Sequence, residues 1–70
     1  MKWMLCVTNK GYEASLEARK LYNTLDDTKA ESLGLIRVID ESGEDYLYPE
    51  GMFVSMEVSA PIEQKLLAVA

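Results

Sequence analysis

Apolar and polar positions alternate in three stretches of the chain, and each alternation predicts a β-strand. In the first, Trp3, Leu5 and Val7 face one side while Met4, Cys6 and Thr8 face the other. Both rows are largely apolar, which suits a strand covered on both faces or curling within a barrel. Asn9-Lys10-Gly11 then ends the run with turn chemistry.

The second stretch reads as a hairpin. Leu35 to Asp40 is β-branched and apolar, Glu41-Ser42-Gly43-Glu44 is polar with a glycine, and Asp45 to Tyr48 resumes a strand pattern. A loop centred on Ser42-Gly43 sets Val38 opposite Leu47, Ile39 opposite Tyr46 and Arg37 opposite Tyr48. The pleat then puts Ile36, Val38 and Leu47 on one face and Arg37, Ile39, Tyr46 and Tyr48 on the other. An extra bulge residue in the turn would shift this register. Pro49-Glu50-Gly51 breaks the strand, and Met52 to Val58 reads as a last one, with Phe53 and Ser55 on one side and Val54, Met56 and Val58 on the other.

Helical signals are shorter. Glu13 to Leu21 is rich in helix formers, and Ala14, Ala18, Leu21 and Leu25 share a helical stripe. The alternation of Leu21, Asn23 and Leu25 with Tyr22 and Thr24 supports a strand over the same residues. Thr28-Lys29-Ala30-Glu31 has capping-box spacing and Gly34 suits a helix C-terminus, so a turn or two of helix is expected between Asp27 and Leu33. Ser59-Ala60-Pro61 begins a C-terminal helix with proline in its first turn, and Ile62, Leu66 and Val69 form its apolar stripe.

The 70 residues leave room for one domain, and an apolar fraction of 49% can close one core. Net charge is −5, and the cations Lys2, Lys10, Arg19, Lys20, Lys29, Arg37 and Lys65 are scattered. A binder of the phosphate backbone gathers its cations on one face, so this balance argues against nucleic acid. One cysteine, Cys6, and no histidine exclude an internal disulfide and Cys/His zinc sites. No apolar run has the length of a signal-peptide core or a membrane helix, which makes the cytoplasm the expected compartment and a membrane partner unexpected.

The carboxylates Asp40, Glu41, Glu44 and Asp45 lack EF-hand spacing and read as the solvated ends of a hairpin, not as a Ca²⁺ or Mg²⁺ site. Cys6, between Leu5 and Val7, reads as a buried thiol. No catalytic residue, metal ligand or cofactor is expected. The informative feature is the surface row of Arg37, Ile39, Tyr46 and Tyr48, because Tyr and Arg are enriched at binding hot spots. Tyr12, in the first long loop, would fold beside them. The alternative is that the loop or the C-terminal helix covers this face.

The run Gly34 to Pro49 resembles the signature of a group of small bacterial and phage proteins with SH3-like barrels. Cys6 in the first strand, Gly11-Tyr12-Glu13-x-Ser15-Leu16 and Lys20-Leu21-Tyr22 match the same group. The resemblance implies an extended loop over 12–19 and a strand over 20–25, and it brings no activity with it. Leu47-Tyr48-Pro49 followed by Phe53-Val54 is also similar to the end of eukaryotic SH3 domains. The Ala-Leu-Tyr-Asp-Tyr stretch and the tryptophan that grip proline-rich peptides in those domains are missing here, since Trp3 lies in the first strand.

The expected fold is an all-β, SH3-like barrel of about five strands over residues 1–58 with a short helix over 61–69. The expected function is non-catalytic protein or peptide binding through Tyr12, Arg37, Tyr46 and Tyr48. The alternatives are self-association through that face or an open barrel edge, and a small-barrel nucleic-acid or nucleotide binder with Tyr46 and Tyr48 stacking bases.

Overall fold

The computed structural model describes residues 2–68. The strands are β1 (Lys2–Cys6), β2 (Leu21–Leu25), β3 (Leu35–Ile39), β4 (Asp45–Pro49) and β5 (Phe53–Ser55). They form one antiparallel sheet in the order β4-β3-β2-β1-β5, curled into a half-barrel. Helix α1 (Thr28–Ser32) joins β2 to β3, a 3₁₀ turn (Glu50–Met52) joins β4 to β5, and α2 (Ala60–Ala68) follows β5. No helix among these residues is long and apolar enough to cross a membrane.

The concave face of the sheet makes the core. Cys6, Tyr22, Ile36, Val38, Tyr48, Met52 and Phe53 are buried there, with Met4 packed against them. Tyr22 meets Phe53 edge-on with ring centroids 6.4 Å apart, and Tyr48 lies 6.3 Å from the same ring. Leu16, fully buried, enters this cluster from the loop between β1 and β2. Residues 12–19 therefore form a loop and not a helix. Tertiary bonds outweigh local propensity there: Asn9 Nδ2 donates to the Leu16 carbonyl at 2.9 Å, and the Glu17 N–H to the Tyr22 hydroxyl at 2.7 Å.

The hairpin forms, but one residue out of the expected register. Asp40 N–H donates to the Glu44 carbonyl and Gly43 N–H to the Asp40 carbonyl, with Gly43 at φ +82°. Gly43 is thus a left-handed bulge residue of a longer turn, not the second residue of a two-residue loop. Val38 now pairs with Tyr46, Arg37 with Leu47 and Ile36 with Tyr48. One step of slip exchanges faces. Tyr48 joins Ile36 and Val38 in the core, while Leu47 turns outward beside Arg37.

Smaller differences have local causes. The N-cap of α1 is Asp27, in extended conformation, whose carboxylate accepts from Ala30 N–H at 3.0 Å; Thr28 is already helical. Gly34 does adopt the left-handed conformation, at φ +74°. The last strand is only Phe53–Ser55, because Met52 closes the 3₁₀ turn and the ladder with β1 ends within one residue of Ser55. Helix α2 begins one residue before Pro61, and Val69 lies outside the described residues.

The register makes a prediction about two tyrosines. Tyr48→Phe should cost about 1–2 kcal/mol in urea unfolding, because it takes a donor from a buried carboxylate. Tyr46→Phe, at an exposed position, should stay within about 0.5 kcal/mol of the parent. The reverse ranking would require the other register.

Candidate functional site

The turn after β3 is held by its own acid. Asp40 is buried, and its Oδ1 accepts from Ser42 N–H at 2.8 Å and the Ser42 hydroxyl at 2.5 Å. Its Oδ2 accepts from the Tyr48 hydroxyl at 2.6 Å. Burial pushes the Asp40 carboxyl up, but the Ser42 and Tyr48 donors outweigh it and leave its pKa below the ordinary value. Glu41 accepts from the Tyr22 hydroxyl at 2.5 Å and pairs with the Lys20 ammonium at 2.6 Å. The Lys20 bond, then the Tyr22 bond, hold its pKa below the usual carboxylate range. Of the four hairpin acids Asp40 alone is buried and is not wet surface; Glu41 stays exposed but is tied down by Tyr22 and Lys20. Among the described residues no acid or thiol cluster is arranged to hold a metal.

The residues expected to share a binding face are not gathered on one. Tyr48 is buried, its ring 5.2 Å from Tyr12 in an edge-on contact and its hydroxyl 2.8 Å from Ser15 Oγ. Tyr12 and Tyr46 are exposed, and the Tyr46 hydroxyl donates to Glu44 at 2.9 Å. Arg37 lies on the opposite side of the hairpin, where Asp27 and Asp45 take its guanidinium at 2.9 and 3.0 Å. The one-residue slip separates it from the tyrosines. Cys6 is buried as expected, and burial raises its thiol pKa.

The convex face of the sheet holds what the core does not use. By the ladder register Trp3, Leu5, Leu21, Leu25 and Ile39 point to that side, each half-buried. Helix α2 lies over part of it and brings Leu66 and Leu67 opposite Trp3, Leu21 and Ile39. Between them runs a groove of about 800 Å³ that reaches Arg19, Lys20, Asp40 and Glu41. No side chain of α2 is fully buried, and Ile62 and Leu67 stay about half exposed. A second pocket, of about 430 Å³, opens at the Lys2 and Asp27 end over Met4, Ile36 and Phe53.

Trp3 and Leu21 carry no site signal in the sequence, since apolar residues in strands read as core. Ile39 is expected in the row with Arg37, Tyr46 and Tyr48, and the register keeps it on the side of Arg37, away from the tyrosines. The signal available was that both rows of the first strand are apolar, too much for a sheet covered on one side. Arg19 also escaped notice. It adopts φ +66°, an uncommon left-handed conformation for a residue with a Cβ, while its N–H donates to the Cys6 carbonyl at 2.6 Å. Comparison with protein-family models, curated proteins and solved structures finds no match to this chain.

Two predictions follow the charges and the strain. Asp27, Asp40 and Glu41 all titrate below their ordinary values, so each adds stability above the unfolded pKa of about 4 that is lost as pH falls through its folded value. The melting temperature should hold from pH 7 to about 5 and drop below about 4, less steeply in Glu41→Gln. At position 19, relief of a left-handed Cβ is worth about 1 kcal/mol, partly offset by the entropy of an unfolded glycine. Urea unfolding should rank Arg19→Gly at or above the parent and Arg19→Val below it.

Proposed function

We propose that the chain is an SH3-like barrel acting as a non-catalytic protein-binding module, and that it takes a peptide segment in the groove between the sheet and α2. The strand order, the long loop between β1 and β2 and the 3₁₀ turn between β4 and β5 support the barrel reading. The observation that carries the binding reading is the apolar convex face. Trp3, Leu21 and Ile39 stay half-buried under a helix that seats none of its own residues fully. Small-domain stability rests on buried apolar area, so a face left partly open is area available to a partner. A non-catalytic role is supported by how the perturbed acids are used: Asp40 and Glu41 spend their oxygens on Ser42, Tyr48, Tyr22 and Lys20.

Random peptides displayed on phage and selected on the protein should yield binders that shift the amide resonances of Trp3, Leu21, Ile39 and Leu66. Leu21→Lys should weaken those binders about tenfold or more while the circular dichroism holds. Shifts confined to the Tyr12 and Tyr46 side, or binding indifferent to Leu21→Lys, would sink the groove reading.

A further inference from the structure

We infer that the groove accepts an apolar peptide segment bearing a carboxylate, and that Arg19 is the residue that pairs with it. The inference rests on the groove reading above and adds the partner's chemistry. Three of the four charged residues reached by the groove are already committed inside the fold. Lys20 pairs with Glu41 and Glu17, Glu41 also takes the Tyr22 hydroxyl, and Asp40 holds Ser42 and Tyr48. Arg19 is exposed and has no hydrogen bond or ion pair from its guanidinium among the described residues. Its backbone is nevertheless held, by the bond to the Cys6 carbonyl, so its side chain starts from a fixed point at the groove's edge.

A guanidinium beside apolar walls matches a carboxylate in geometry, since its paired donors can bind both oxygens at once. The groove's other charges decide between anions. Lys20 and Glu41 cancel, and Asp40 leaves a fixed negative charge nearby, which a doubly charged phosphate would meet and a single carboxylate on a hydrophobic segment can sit clear of. The chain's net charge of −5 opposes any acidic partner at long range, but that field fades over about 8 Å at physiological salt. Contact at Arg19 is thus expected to override it.

The chain's single tryptophan, Trp3, lies in the groove, so its emission reports occupancy directly. Two synthetic peptides with the same leucine pattern serve as probes, one with a single glutamate and the other with a single lysine at the same polar position and glutamine at the remaining ones. At physiological salt the glutamate peptide should bind about tenfold more tightly, the size of one charge-assisted contact. Arg19→Gln should erase that preference, and Lys10→Gln, an equal change of charge away from the groove, should keep it. Tighter binding of the lysine peptide, a preference that survives Arg19→Gln, or an equal loss with Lys10→Gln overturns the carboxylate inference and leaves the groove reading standing. A Trp3 emission indifferent to both peptides overturns the two together.

Discussion

A carboxylate withdrawn from water must be given donors, and the way Asp40 obtains them organises this molecule. An isolated charge in an apolar interior is prohibitively costly, so the residue folds its turn around itself. Ser42 supplies a backbone N–H and a hydroxyl, and Tyr48 reaches back from β4 with its phenol. That last bond is compatible only with a register that places Tyr48 on the concave side. Gly43, in its left-handed conformation, supplies the extra residue that this register requires.

The same turn ties the long first loop to the sheet. Glu41 N–H donates to the Ser15 carbonyl at 3.1 Å, while its side chain gathers Tyr22 and Lys20. Ser15 in turn contacts the Tyr48 hydroxyl. The neighbouring Leu16 is thereby delivered into the core, and the chain leaves the loop through Arg19 and re-enters the sheet at β2. The loop's order, the hairpin's register and the strained backbone at Arg19 are linked consequences of one polar hub.

The site emerges from what the core leaves over. Tyr22, Tyr48 and Phe53 fill the concave side, and the two tyrosine hydroxyls are spent on Glu41 and Asp40. Trp3, Leu21 and Ile39 are consequently left on the convex side, where α2 covers them in part. A sheet with apolar residues on both faces and a single light helix has more hydrophobic surface than its own chain can bury. That imbalance, with one guanidinium held at its edge, supports the proposed role as a receptor for an apolar, acidic segment.

Much of the architecture was legible in the chain's local chemistry. The alternation in β1, the polar interruption between β3 and β4, Gly34 at the end of α1 and the Ser59-Ala60-Pro61 start of α2 all act over a few residues, so a pattern reveals them. The face of Tyr48 was not legible. Whether a turn holds two residues or adds a bulge changes the local sequence little, yet it reverses every side chain beyond it. Only the burial of Asp40 against Tyr48, whose hydroxyl also meets Ser15 in the closed fold, selects between them. The separation of Arg37 from the tyrosines and the groove beneath α2 are decided at that same level, because both depend on which side of the sheet the core already occupies.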